Sequence, residues 1–124
     1  MKYNETLEWL KSYRALHDKL IYLNNRIIGV QGINYELSEG GGLRKSINEL
    51  IDDKTEVIKQ MEKIEDAIHS VTGNLYSEVL GYRFIFCYTI KKTAEEIDYS
   101  ISQTNRIQEK AINKLSKMIQ NDIE

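Results

Sequence analysis

Apolar residues in the first quarter of the chain follow a narrow repeat. From Asn4 to Val30, Trp9, Tyr13, Leu16, Leu20, Leu23, Ile27 and Val30 succeed one another at alternating spacings of four and three. That rhythm is a heptad seam, the pattern of a helix that buries one thin stripe. A second seam runs through Leu43, Ile47, Leu50, Lys54, Val57, Met61, Ile64, Ile68 and Val71, broken only by Lys54, with Glu, Asp and Lys on the other faces. Two helices of similar length, joined by Gln31 to Gly42, predict an antiparallel, coiled-coil-like hairpin over residues 1–72 with a Gly-rich loop around 31–42. Lys54 fits the seam if its stem lies along it and its ammonium reaches water.

After Val71 the pattern shortens. Thr72-Gly73-Asn74 is a break, and Leu75, Tyr76, Val79 and Leu80 open a short helix that leads through Tyr82, Arg83, Phe84, Ile85 and Phe86 to Cys87 and Tyr88. Thr89 is placed to cap a helix from Ile90 to Ile97 that has Ile90, Ala94 and Ile97 on one face. Asp98-Tyr99 reads as a turn, and Ser100-Ile101-Ser102-Gln103 is an S-x-x-Q capping box opening the last helix. The inner face of that helix is expected at Thr104, Ile107, Ala111, Leu115 and Met118. The fold class is therefore all-α, with a second segment over 73–124.

Composition reinforces this reading. The 124 residues include no proline, and the seven glycines are clustered, so long helices with few breaks are expected. No apolar run is long enough to span a bilayer, and the start Met1-Lys2-Tyr3-Asn4-Glu5 carries no apolar h-region, so no secretory signal is read. One cysteine, Cys87, cannot close an internal disulfide, and a cytoplasmic setting is expected. Gly40-Gly41-Gly42-Leu43-Arg44-Lys45-Ser46 lacks the spacing of a phosphate loop and reads as a flexible connection.

No enzymatic chemistry is expected, and no metal or cofactor. His17 and His69 have no Cys or His partner at ligand spacing. Asp52-Asp53 and Glu95-Glu96 are adjacent in sequence and point apart on a helix. Cys87, after Phe86, is expected to be packed, and the eight tyrosines are scattered along the chain rather than arranged as a stacking platform.

Two short helices with a tight turn, a small residue at the crossing and a capped second helix form the pattern of a helix-turn-helix. The outward face of the second helix is polar. Ser102, Gln103, Asn105 and Arg106 are candidate base readers, since Asn and Gln suit adenine and Arg suits guanine. Ser100, with Ser102 and the helix N-terminus, is a candidate for holding a phosphate, and Lys91, Lys92 and Lys110 are further phosphate candidates. Charge is modest: from Gly81 onward there are 7 Lys+Arg against 6 Asp+Glu, while the formal net charge of the whole chain is −2. Binding by one module should be weak and salt-sensitive, so a homodimer through the hairpin or a protein partner is expected.

The stretch Leu80-Gly81-Tyr82-Arg83-Phe84-Ile85, then Thr89 to Ser100, then Ser102 to Ile107 and Lys110 to Leu115 resembles the C-terminal module of the phage late transcriptional regulators typified by RinA and ArpU. That module is itself similar to region 4 of sigma factors. Against the family pattern, Ile90 stands where an aromatic is usual, Thr93 where Ile is, Asp98 where Gly is, Cys87 where a loop Gly is common and Thr104 where Val is usual. Thr93 and Thr104 place two hydroxyls near the core, and the carbonyl one turn back is a ready acceptor for each. The resemblance implies a DNA-binding regulator of phage or prophage origin, acting on double-stranded DNA and host RNA polymerase to activate a late operon. The alternatives are a coiled-coil interaction protein, such as a phage-encoded inhibitor of a host factor, and a DNA-packaging recognition subunit.

Overall fold

A computed structural model describes residues 2–33 and 46–123 of the chain. All regular structure among them is helical: α1 (Tyr3–Ile33), α2 (Ile47–Ser70), α3 (Asn74–Leu80), α4 (Ile90–Ile97) and α5 (Ile101–Ile123). None of the described helices is long and apolar enough to cross a membrane. The expected Gly-rich loop lies outside the described residues from position 34 onward, and α1 extends to Ile33. Ser46 sits just ahead of α2, where its hydroxyl accepts from the Glu49 N–H at 3.2 Å, an N-cap that the seam alone did not reveal.

Contacts divide the chain into two units, one made of residues 1–14 and 63–124 and the other of residues 15–62. The first draws on both sides of the 72/73 boundary read from the sequence. In the 15–62 unit, Leu23 and Ile27 on α1 and Leu50, Val57 and Met61 on α2 are buried, with Leu16, Leu20 and Lys54 half-buried. These are seam positions, and Lys54 keeps the intermediate exposure that a snorkelling lysine needs.

In the other unit, Ile64, Ile68 and Val71 continue the α2 seam inward. On α1 the buried residues are Thr6, Leu10 and Tyr13, whereas Trp9 is half-buried, so the stripe enters one residue later than the expected seam. The Tyr13 phenol donates to Glu65 at 3.2 Å. Burial, with the Glu65 charge beside it, pushes the Tyr13 pKa up to about 12.

The break at Gly73 is geometrical. Its φ of 102° suits glycine alone, and a Cβ there would stand 2.9 Å from the Tyr76 ring. Ser77 reaches back to the Ile68 carbonyl at 3.1 Å, and the Lys114 ammonium donates to the Thr72 carbonyl at 3.1 Å. α3 lies against α5 and passes into a π-helical turn, Gly81–Ile85, that buries Phe84.

Burial on α5 is wider than expected. Thr104, Ala111 and Leu115 are inside and Ile107 and Met118 half-buried, but Ile112 and Ser116 are buried as well. Of these two, Ser116 meets the start of α1, its Oγ 2.8 Å from Thr6 Oγ1.

Candidate nucleic-acid interface

The α4–α5 pair is built from local hydrogen bonds that the sequence specifies. Thr89 takes extended backbone, its hydroxyl accepts from the Lys92 N–H at 3.1 Å, and α4 begins at the next residue. The helix stops at Asp98, which adopts the left-handed conformation with φ 60° and ψ 41°. The Tyr99 N–H donates to the Ala94 carbonyl at 3.1 Å and the Asp98 N–H to Glu95 at 3.4 Å, the paired closure of a Schellman motif. Aspartate tolerates this backbone better than most side chains, so the turn survives without a glycine.

Two residues later the capping box closes. Ser100 N–H donates to Gln103 Oε1 and Gln103 N–H to Ser100 Oγ, both at 3.1 Å. Ala94 is buried on α4, the small residue where the two helices meet. Thr93 and Thr104 are also fully buried, and each hydroxyl donates to the carbonyl four residues back, Thr89 at 2.9 Å and Ser100 at 2.8 Å. No buried side-chain polar atom among the described residues lacks a partner. The two hydroxyls therefore cost the core little.

All eight candidate residues, Lys91, Lys92, Ser100, Ser102, Gln103, Asn105, Arg106 and Lys110, are exposed. Two of them are already engaged. The Ser100 hydroxyl and the Gln103 amide oxygen are held in the capping box, which leaves Gln103 with its NH2 donors for any ligand. Asn105, Arg106 and Lys110 have no such commitment and follow one another along the exposed side of α5. The Lys92 ammonium lies 5.1 Å from the centre of the Tyr88 ring, a cation–π distance. Glu109, on the same exposed side, raises the Tyr3 pKa together with the larger effect of burial, so its charge is felt at the start of α1.

Two features escaped the sequence reading. Tyr82, Phe86 and Tyr88 form one aromatic cluster: the tyrosine rings are stacked with centroids 5.6 Å apart, and Phe86 lies 6.1 and 5.8 Å from them. The tyrosines are thus not uniformly scattered, and Phe86 remains 62% exposed. The i, i+4 spacing of Tyr82 and Phe86 was the available signal. Cys87 is the second correction. It is exposed rather than packed, because a backbone φ of 58° reverses the chain there. Arg83 fixes this reversal from inside, donating to Gln108 Oε1 at 2.7 Å and to the Tyr88 carbonyl. Burial lowers the pKa of its guanidinium.

At the turn, Tyr99 and Ile101 stay exposed and, with Lys91, Glu95 and Asp98, border an open concavity of about 470 Å³. Among the described residues no three His, Cys, Asp or Glu side chains come together as a metal site. No protein-family model, no curated protein and no solved structure matches the chain.

Proposed function

We propose that the chain is a DNA-binding transcriptional regulator of the phage late-regulator type, in which an antiparallel helical hairpin carries a helix-turn-helix formed by α4 and α5. The start of α5 would enter the major groove, with Asn105 and Arg106 at base edges and Lys91, Lys92 and Lys110 on phosphates. Host RNA polymerase is the partner through which a bound regulator of this type would activate a late operon. One observation carries the reading: α5 is capped, buries Thr104 on the side where α4 buries Thr93 and Ala94, and presents an exposed polar side in which Asn105 and Arg106 are uncommitted.

The test is a selection for bound sites from fragmented phage DNA at low and moderate salt, followed by gel-shift titration of Arg106→Ala and Asn105→Ala. Recovery of one sharp site, with affinity lowered by ~1–3 kcal/mol in either variant, supports the reading. Absence of any enriched site at both salt levels rejects it.

The exposed Phe86 and its tyrosine neighbours favour a second reading, an interaction protein directed at a host factor. Phe86→Ala separates the two, since it should abolish capture of such a factor and leave DNA affinity within twofold.

A further inference from the structure

The capping box at the start of α5 fixes which atoms Gln103 can present. Its Oε1 accepts from the Ser100 N–H and its own N–H donates to Ser100 Oγ, both at 3.1 Å. The amide cannot be turned over in this bond, since only its oxygen can accept from a backbone N–H. Ser100 is itself held: its carbonyl takes the Thr104 N–H at 2.9 Å and the Thr104 hydroxyl at 2.8 Å, and Thr104 is fully buried. The cap is thus anchored to the core although Ser100 and Gln103 are both exposed.

The consequence differs from base to base. Bidentate reading of adenine asks one amide to donate to N7 and to accept from the N6 amino group, so it needs the oxygen and the NH2 together. In Gln103 that oxygen is already engaged, and adenine would have to share it or draw it out of the cap. Freeing it offsets roughly two- to tenfold in affinity, the worth of one such bond. Guanine presents two acceptors, O6 and N7, and asks only for donors. The Gln103 NH2 keeps both of its hydrogens for them. Asn105 is exposed and lies outside the box, so its amide keeps acceptor and donors alike.

We infer that Gln103 is a guanine-selecting residue of α5: its own cap makes it a donor-only reader, which takes guanine and turns adenine away, the reverse of the preference that the residue type alone suggests. Adenine recognition falls to Asn105, whose amide is whole. The inference rests on the regulator reading for the entry of α5 into the major groove, and it names the base that this residue takes there.

The test compares the DNA sites selected by the full chain and by its Gln103→Glu variant. Glutamate keeps an acceptor for the Ser100 N–H, as in the S-x-x-E form of the box, but carries no donor. Thermal unfolding by circular dichroism should therefore match wild type. The base position whose preference changes between the two selections is the one that Gln103 reads. Guanine is expected there for the wild-type chain, and cytosine, which donates from N4, for Gln103→Glu. The variant should bind the wild-type site about tenfold more weakly or worse. Asn105→Ala should relax a different position. Should Gln103→Glu unfold, Gln103→Ala, which gives up the donors and the cap together, identifies the same position. Adenine, thymine or cytosine at the wild-type position, or identical selections by the wild-type chain and its Gln103 variant, overturns the inference and leaves the regulator reading standing, because a site has been recovered. No enriched site for the wild-type chain overturns both.

Discussion

The side chains of Thr6 on α1 and Ser116 on α5 meet at 2.8 Å in the interior, although 110 residues separate them in sequence. Thr6 also donates to the Lys2 carbonyl at 3.0 Å, and the single Ser116 hydrogen has the Ile112 carbonyl at 2.8 Å as its other acceptor. Because Ser116 keeps that local acceptor, Thr6→Val should cost ~0.5–1.5 kcal/mol rather than the larger penalty of an orphaned hydroxyl. A double-mutant cycle with Ser116→Ala, read by urea unfolding, should show a coupling of at least ~0.5 kcal/mol. Strictly additive effects would remove the pair from the stability of this unit.

The left-handed residue at the α4–α5 turn gives a second prediction. Asp98→Val should destabilise the fold by ~1–2 kcal/mol, since a β-branched side chain resists a φ of 60°. Asp98→Gly should not destabilise it. Thermal unfolding of the two variants checks the pair, and equal losses in both would show that the aspartate side chain, not the backbone, holds the turn.

Ala94→Leu adds three carbons at a site that is 3% exposed. Overpacking there should cost ~1–3 kcal/mol and displace α5 relative to α4. Hydrogen exchange should show faster opening of the Tyr99 and Thr104 amides, whose bonds to Ala94 and Ser100 depend on the same closure. Protection equal to wild type would mean that the crossing accommodates the larger side chain.

Alkaline pH provides a fourth test. The folded Tyr13 pKa, pushed up to about 12, lies above the ordinary value of 10.0. The neutral phenol is favoured in the folded state, so its contribution is fully present below pH 10.0 and is lost as pH rises toward about 12. Stability measured across that window should fall, and Tyr13→Phe should flatten the fall. An unchanged slope would assign alkaline unfolding to other groups.

Much of the α4–α5 segment was legible in the sequence because its determinants are local. Thr89, Asp98, Ser100 and Gln103 act within four residues of themselves, so capping chemistry fixed both helix boundaries. The α2 seam was legible for a related reason, as seven-residue periodicity survives whatever covers it. Ser116 lay outside the expected inner face because its partner is Thr6 at the start of α1, and nothing in α5 announces a partner 110 residues away. The four-and-three spacing points to Trp9, whereas Thr6 and Leu10 are the buried residues, Thr6 being held by Ser116 of α5. Cys87 was misread because aromatic neighbours suggest a core, while the chain reversal at that residue turns its sulfur outward. Of the candidate site, the residue types and their exposure followed from the α5 pattern, but the engagement of Gln103 by its own cap limits what it offers a ligand.

The same chain reversal at Cys87 equips the protein with its own reporter position. It holds the single thiol of the sequence, exposed and next to the Tyr82–Phe86–Tyr88 rings. A maleimide fluorophore would attach at one place without any engineered cysteine. Quenching by those aromatic rings would then follow, in real time, whatever comes to rest against them.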